Sequence, residues 1–205
     1  FETTTFNVEG NNYTVEGLTA EAKATDAGEY PVNVVGTAVV KDAEGNVVTD
    51  QFAVKTQNGK LTIGKRDVTL TSGEGSKQYD GKPLTNDEVT VSGDGFVGKE
   101  GATYTVTGSQ TVVGSSQNSF TYELKAGTKA ENYNIQQNYG TLTVTNRDAK
   151  YEITVVAKSG GEKYNGKEQT VSGFETTTFN VEGNNYTVEG LKCYNKVVTE
   201  VANKI

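Results

Sequence analysis

The sequence predicts an all-β chain made of small sandwich domains, and three features of its 205 residues support that class. Hydrophobic residues make up only 34% of the chain, which is too few for one large core and fits two thin cores better. Thr, Val and Tyr recur along the chain, and these residues suit the half-buried surface of a pleated sheet. Short stretches of alternating apolar and polar residues, typical of strands with one buried face, are separated by turns that contain Gly.

Two internal repeats organise the chain. Residues 1–18 and 174–191 have the same sequence, FETTTFNVEGNNYTVEGL, so one period of 173 residues is complete and a second one begins. A weaker repeat lies inside this period. Its matching segments are KQYDGK (77–82) with EKYNGK (162–167), YTVTG (104–108) with YTVEG (13–17), the alternation at 120–124 with that at 30–34, and NYNIQQNYGTLTV (132–144) with QFAVKTQNGKLTI (51–63).

The order of these matches predicts one whole repeat and one divided repeat. We interpret residues 66–147 as a complete repeat B, residues 1–63 as the C-terminal part of a repeat A, and residues 150–191 as the N-terminal part of the next repeat A. Residues 192–205 leave the pattern and form an unmatched tail, for which a helix and a strand fit equally well. Because a sandwich without some of its strands exposes an open edge, we expect the two parts of A to complete each other. Completion within one chain and head-to-tail completion between chains are both open, and the second is favoured for an elongated array.

The alternation predicts ten strands, five in each repeat. They lie at 68–71, 89–91, 104–106, 120–124 and 142–144 in repeat B, and at 13–15, 30–34, 52–54, 61–63 and 153–155 in repeat A. No long helical pattern occurs in residues 1–191.

One local pattern narrows the fold class. Asp26-Ala27-Gly28-Glu29-Tyr30 opens an alternating strand, and it looks like the tyrosine corner of immunoglobulin-like sandwiches, in which the phenol hydroxyl bonds to the backbone upstream. The alternative interpretation is a turn beside a core Tyr. We therefore predict elongated, tandem immunoglobulin-like β-sandwich repeats, with β-grasp-like repeats as the alternative because the sequence does not reveal the strand order.

A family resemblance rests on three motifs in repeat B: KQYDGKPLT at 77–85, NYNI at 132–135 and GTLTV at 140–144. Together they resemble the MBG/YDG-type repeats of large bacterial cell-surface adhesin-like proteins, often of Gram-positive bacteria. The resemblance covers residues 1–191, although repeat A has Tyr-Asn-Gly at 164–166 and lacks the Asn-Tyr pair. It implies extracellular, mainly structural tandem arrays, attached to the cell surface or cell wall, without catalytic residues.

Charge and composition exclude several classes of partner and chemistry. The chain has 19 basic and 26 acidic residues, a net charge of −7, and no basic block, which argues against nucleic acid and anionic membranes as partners. No apolar run approaches the ~18 residues of a membrane span. The chain has no His and one Cys, so a Ser/His or Cys/His nucleophile and a zinc site are excluded, and we expect neither an enzyme nor a cofactor.

A few residues invite a specific site, but a simpler interpretation is favoured for each. The loop 42–46 with Asp50 offers oxygen ligands for Ca²⁺ but lacks the spacing of a calcium loop, so a hairpin turn is favoured. Cys193 is expected to be a free surface thiol. Tyr133 and Tyr139 are taken as exposed aromatics that could stack on sugars, but packing in the core or at an edge is favoured for both. No spacing of Lys with Asn or Asp indicates an isopeptide crosslink.

The sequence thus predicts a non-catalytic stalk, spacer or fibre-forming segment of a bacterial surface adhesin. The expected partners are neighbouring repeats or identical subunits, joined head-to-tail by strand complementation. The alternative function is an adhesive module that binds a host glycan or protein, and for that function the sequence names no ligand-binding residue.

Overall fold

The computed structural model describes residues 5–193. Within that range the chain forms fifteen strands and two short 3₁₀ turns, at Thr49–Gln51 and Ala130–Asn132, so the predicted all-β class is confirmed. In chain order the strands are β1 Thr5–Val8, β2 Asn11–Ala20, β3 Gly28–Val32, β4 Val34–Lys41, β5 Gly59–Ile63, β6 Arg66–Ser72, β7 Gly75–Gln78, β8 Val89–Gly93, β9 Ala102–Val106, β10 Gly114–Gln117, β11 Phe120–Leu124, β12 Tyr133–Asn138, β13 Thr141–Thr145, β14 Thr178–Val181 and β15 Asn184–Thr187. None of the helical turns in this range has the length and apolarity needed to cross a membrane.

The chain forms two compact bodies. Of the described residues, the first body comprises 5–73, 87–107 and 119–140, and the second comprises 74–86, 108–118 and 141–193. Both bodies contain residues of both predicted repeats, so the repeat boundaries stay predictions.

The first body contains an antiparallel sheet in which β2 lies between β1 and β4, and a separate pair of β3 with β5. The β2–β4 ladder shifts register between Glu16 and Leu18. This bulge brings Gly17, with a φ of +78°, against the backbone of β4. A Cβ atom on Gly17 would lie 2.2 Å from the carbonyl oxygen of Thr37, so only glycine fits this position.

The core of the first body is built by strands of repeat B. Strand β6 lies between β8 and β12, antiparallel to the former and parallel to the latter, and β9 pairs with β11. Val68 and Leu70 share one face of β6, where they pack with Phe120 and Tyr133. Half-buried side chains surround this cluster: Val89, Phe96, Tyr104, Val106, Tyr122 and Ile135.

The second body has a three-stranded sheet and a hairpin. Strand β13 lies between β10 and β7, antiparallel to β10 and parallel to β7, and its Leu142 and Val144 are buried. Strands β14 and β15 pair as a two-stranded hairpin. Because β7 and β10 have almost no apolar residues, their backbone ladders with β13 place them rather than any alternation of their own.

The hydrogen-bond register corrects two of the repeat matches. Gly28 opens β3 and Gly114 opens β10, and these two strands pair in the same register with β5 and β13. Six residues after each glycine, Val34 opens β4 and Phe120 opens β11. Phe120 is therefore the counterpart of Val34, and the match of 120–124 with 30–34, which placed Phe120 on Tyr30, is wrong.

The match of 104–108 with 13–17 also has the wrong register, because it placed Tyr104 on Tyr13. Leu18 pairs with Gly36 on β4, and Tyr104 pairs with Tyr122 on β11, so Leu18 is the counterpart of Tyr104. Alternation repeats every two residues and does not encode register, which long-range backbone hydrogen bonds determine. The match of 132–144 with 51–63 is confirmed, because each segment begins at the end of a 3₁₀ turn and continues with an extended aromatic residue.

Eight of the ten predicted alternations lie in strands, with 30–34 divided between β3 and β4, whereas 52–54 and 153–155 form no strand. These two exceptions correspond to one strand pair of repeat B. Residues 52–54 match 133–135 of β12. Counted back from the Tyr-Asn-Gly and Tyr-Asp-Gly turns, residues 153–155 match 68–70 of β6. In repeat B these counterparts pair in parallel, with Ile135 opposite Val68. The division of repeat A places its two segments on opposite sides of repeat B in the sequence, and neither forms a ladder.

Candidate functional site at the Tyr79–Gly81 turn

Residues 77–82, which we call the docking turn, are held by one lysine and one aspartate. The Lys77 ammonium donates to Asp80 Oδ1 over 2.7 Å and to the carbonyl oxygen of Lys82 over 2.7 Å. Asp80 Oδ1 also accepts the backbone N–H of Lys82 over 2.9 Å, and Gly81 has a φ of +75°. The hydrogen bond from Lys77 and that from the Lys82 N–H lower the pKa of Asp80. The Lys-x-Tyr-Asp-Gly-Lys motif therefore forms a local turn: the Asp side chain accepts a backbone N–H as in an Asx turn, the Lys pairs with that Asp, and the Gly supplies the positive φ.

The counterpart in repeat A keeps the turn without the ion pair. Asn165 Oδ1 accepts the N–H of Lys167 over 3.0 Å, and Gly166 has a φ of +71°. Position 162 is Glu instead of Lys, and the second donor to Asn165 is the Gln169 amide, over 2.8 Å. Tyr164 of this turn is 76% exposed, whereas the corresponding Tyr79 is half-buried. The two turns therefore differ in what covers them.

The docking turn is covered by the hairpin of β14 and β15, which we call the C-terminal hairpin. Asn184 Nδ2 donates to the carbonyl oxygen of Asp80 over 2.9 Å. A Cβ atom on Gly81 would lie 2.7 Å from Asn184 Cγ and 2.8 Å from the phenol oxygen of Tyr186. Position 81 therefore requires glycine for two reasons: its φ is positive, and the hairpin approaches too closely for a side chain.

A cluster of aromatic and charged groups continues this contact. The Tyr151 hydroxyl donates to Glu182 Oε2 over 2.7 Å, and the rings of Tyr151 and Tyr186 are 6.1 Å apart. The Arg147 guanidinium lies 3.9 Å from the Tyr151 ring centroid, a cation–π distance, and donates to the carbonyl oxygen of Tyr79 over 3.2 Å. A shallow cleft of about 420 Å³ adjoins these side chains.

The Tyr186 phenol is electrostatically unusual. Its oxygen is buried without a hydrogen bond of good geometry. Interaction with the Tyr79 phenol and loss of solvent raise the pKa of Tyr186 to about 12. The hydrogen bond to Glu182 and loss of solvent also raise the pKa of Tyr151. The raised pKa values favour the neutral form of both phenols in the folded chain.

The first body contains a second organised cluster, at the predicted tyrosine corner. The Tyr30 hydroxyl donates to the carbonyl oxygen of Asp26 over 2.9 Å, so the predicted hydrogen bond of the corner is confirmed. The Asp26 carboxylate accepts from Asn132 Nδ2 over 3.0 Å and from Lys129 Nζ over 2.5 Å. The Asn132 amide oxygen in turn accepts the N–H of Ala27 over 2.7 Å. The corner of repeat A is thereby fastened to the 3₁₀ turn of repeat B.

Charge pairing dominates this cluster and the cleft beside it. The hydrogen bond from Asn132 and that from Lys129 lower the pKa of Asp26, and the same hydrogen bond to Asp26 raises the pKa of Lys129. Lys129 and Asp26 therefore form a charged pair at the corner. The cleft has a volume of about 390 Å³ and is also lined by Arg66, Glu100 and Tyr133.

The structure corrects the expected exposure of Tyr133 and confirms the favoured packing in the core. Tyr133 is only 4% exposed, and its hydroxyl donates to Glu100 and accepts the N–H of Val97 over 3.1 Å. It opens β12 inside the core, so stacking on a sugar at this position is ruled out. Tyr139 is 41% exposed and packs its ring 5.5 Å from that of Phe120, which agrees with the favoured edge packing.

The remaining predicted positions form turns and surface. Asp42 and Asn46 close the favoured hairpin turn: the Asn46 N–H donates to Asp42 Oδ1 over 2.7 Å and the Asn46 amide donates to Oδ2 over 2.9 Å. Asp50 lies in the 3₁₀ turn Thr49–Gln51. Cys193 is an exposed free thiol, as expected, and its sulfur accepts the N–H of Gly173 over 3.1 Å. The tail 192–205 lies outside the described residues from 194 onward.

Within residues 5–193 no group of three or more His, Cys, Asp or Glu side chains is placed to hold a metal ion. Comparisons of the chain with protein-family models, with curated proteins and with solved structures found no match. The contacts of the docking turn and the strand pairing of the two repeats therefore carry the functional argument.

Proposed function

We propose that this chain is a non-catalytic segment of a bacterial surface stalk or fibre, of the MBG/YDG type, in which repeat A of one molecule is completed by the next molecule. Residues 150–191 of one molecule join residues 1–63 of its neighbour. The partners are identical subunits or neighbouring repeats, and the location is extracellular. The assembly is held by backbone ladders, without a metal ion or a cofactor.

The unformed strands at 52–54 and 153–155 carry this proposal. Their counterparts in repeat B form the parallel pair of β12 with β6, which contributes Val68, Leu70 and Tyr133 to the core. In repeat A the corresponding apolar side chains are open to solvent: Val54 is 38% exposed and Ile153 is 41% exposed. When such a segment pairs with its missing partner strand, it forms backbone hydrogen bonds and buries its exposed apolar side chains.

Further apolar exposure in the N-terminal part of repeat A supports the same conclusion. Val156 is 50% exposed and Val171 is 48% exposed, and in residues 150–173 the ladder contact is an isolated bridge between Ala157 and Phe174. A part of about 40 residues buries too little apolar surface to form a stable core alone.

For the fold class we propose immunoglobulin-like repeats in preference to the β-grasp-like alternative. The hydrogen bond from the Tyr30 hydroxyl to the Asp26 carbonyl oxygen supports this choice, since it is the defining contact of a tyrosine corner. A non-catalytic role is supported by Asp26 and Asp80, whose carboxylates are paired with Lys129 and Lys77 and hold turns in place.

The adhesive alternative depends on exposed aromatic side chains. The burial of Tyr133 removes one of its two candidates and leaves Tyr139. We therefore place the structural role first, and binding of the purified chain to arrayed host glycans would revive the alternative.

Self-association of the purified chain tests the structural proposal. Sedimentation velocity over a wide concentration range should show species heavier than the 21.9 kDa monomer. The substitution Thr154→Pro places a residue without an N–H in the middle of the strand that has to form, and it should weaken association by more than about a hundredfold.

A second proline separates ladder formation from general disturbance of this region. Gly161 is not a positive-φ glycine and a Cβ atom on it would have nothing within 4 Å, so Gly161→Pro should leave association unchanged. A chain that stays monomeric at all concentrations, or one in which both prolines act equally, would refute the proposal.

A further inference from the structure

The C-terminal hairpin has a twin at the other end of the chain. Residues 5–14, which we call the N-terminal hairpin, pair in the same register, with Phe6 opposite Tyr13 as Phe179 is opposite Tyr186. Glu9 has a φ of +49° in one turn, and Glu182 has a φ of +50° in the other. Because sequence, register and turn are the same, each hairpin can present the same side chains to a docking partner.

Three residues of the C-terminal hairpin make its contacts with the docking turn and the Tyr151 cluster. Glu182 accepts from Tyr151, Asn184 donates to the Asp80 carbonyl oxygen, and Tyr186 lies against Gly81. Glu182 and Asn184 lie at the turn of the hairpin, and Tyr186 lies two residues farther along β15.

The turn of the N-terminal hairpin is uncovered. Glu9 and Asn11 are exposed, whereas Asn184, the counterpart of Asn11, is half-buried by the docking turn. Tyr13 packs through its ring on Phe6 and Phe52, at centroid distances of 5.8 and 4.7 Å. Of the three docking positions, Glu9 and Asn11 are therefore open to a partner in the N-terminal hairpin, while Tyr13, the counterpart of Tyr186, already packs on rings of its own repeat A.

We propose that the docking turn is a receptor site for this hairpin sequence and accepts the N-terminal hairpin of a second copy of the chain, in competition with the C-terminal hairpin. The proposal rests on the proposed head-to-tail function, and it adds the contact between the docking turn and the N-terminal hairpin through which one molecule recognises the next. When the second molecule docks, Asn11 replaces Asn184 at the Asp80 carbonyl oxygen, and the incoming hairpin brings the rest of its repeat A, Phe52 included. The C-terminal hairpin is thus an intramolecular competitor that limits association.

Identical substitutions in the two copies test this competition in the full chain. Asn184→Ala weakens only the competitor, so it should tighten self-association by about fivefold, the effect of one hydrogen bond. Asn11→Ala weakens only the incoming hairpin and should loosen self-association by about the same factor. The double variant should return close to the wild-type value. Thr187→Ala, on an exposed position of β15, is the control and should change nothing.

The outcomes separate this inference from the proposed function. If both asparagine substitutions shift association in the same direction, or neither shifts it, the docking claim is overturned; a loss with Thr154→Pro would then leave the proposed function in place. If the asparagine substitutions act in opposite directions and Thr154→Pro has no effect, the docking claim stands and the pairing of 153–155 with 52–54 fails. If the wild-type and Asn184→Ala chains both stay monomeric, both proposals are overturned.

Discussion

The two hairpins share a sequence and a backbone, but they differ in what surrounds them. In both, four residue pairs form the ladder, and the first Asn of the hairpin donates its amide to the Asn five residues on: Asn7 to Asn12 over 2.9 Å and Asn180 to Asn185 over 2.8 Å. The N-terminal hairpin is continued by β2 into a ladder with β4, while the C-terminal hairpin ends at two strands. The local sequence therefore fixes the hairpin, and distant segments decide what covers it.

The glycine after each hairpin should show the largest difference between the copies. Gly17 and Gly190 have nearly the same φ, +78° and +75°. A Cβ atom on Gly17 would lie 2.2 Å from the Thr37 carbonyl oxygen, whereas one on Gly190 would have nothing within 4 Å. Gly17→Ala should lower the free energy of unfolding by about 3 kcal/mol, through overpacking and left-handed strain together. Gly190→Ala should lower it by about 1 kcal/mol, through strain alone. Denaturant unfolding of each variant measures both values.

The turn glycines provide an internal control for that experiment. Gly10 and Gly183 have φ values of +87° and +84°, and a Cβ atom on either would have nothing within 4 Å. Their alanine variants should therefore lose stability equally. A larger loss for Gly10→Ala would mean that the copies differ in their backbone and not only in their surroundings.

The contrast also explains which parts of the fold could be predicted from the sequence. Alternation is local, so it located β6, β9 and β11. It also predicted strands at 52–54 and 153–155, where the residues have strand character but no ladder partner. Strand formation depends on a distant partner as well as on the segment, and the register that pairs Val34 with Ala20 is not readable from letters that repeat every two residues.

The tyrosines of the two hairpins should give the next largest contrast. Tyr13 lies between two other rings, at centroid distances of 5.8 Å and 4.7 Å, whereas Tyr186 has Tyr151 at 6.1 Å. Tyr13→Ala should lower the free energy of unfolding by about 2 kcal/mol, since it removes two aromatic pairs and a half-buried ring. Tyr186→Ala should cost less. Thermal unfolding of the two variants compares them, and an equal loss would contradict the difference in packing.

The sequence predicted the turn at the candidate site but not the hairpin that covers it. Lys77, Asp80 and Gly81 lie within five residues of one another, so their motif could be recognised and its turn anticipated. The contact of Asn184 with Asp80 spans 104 residues and follows from no local pattern. Tyr133 was taken as exposed for a related reason: it stands among Asn and Gln residues, but β12 turns its side chain into the core, where packing was the favoured interpretation.

The smallest effect is a dependence on alkaline pH that belongs to the C-terminal hairpin. The pKa of Tyr186 is raised in the folded chain to about 12 from the ordinary value of 10.0. Below pH 10 the phenol is neutral in the folded and unfolded chains, and the contribution of the docked hairpin is complete. As the pH rises from 10 towards 12, the unfolded chain loses this proton first, so the stability of the second body should fall across that interval.

Thermal unfolding at a series of pH values should show a smaller alkaline loss of stability for Tyr186→Phe than for the wild type. Adding Tyr151→Phe should reduce the loss further, because the pKa of Tyr151 is raised as well. An alkaline loss in Tyr186→Phe equal to that of the wild type would mean that the hairpin does not hold this phenol against the docking turn.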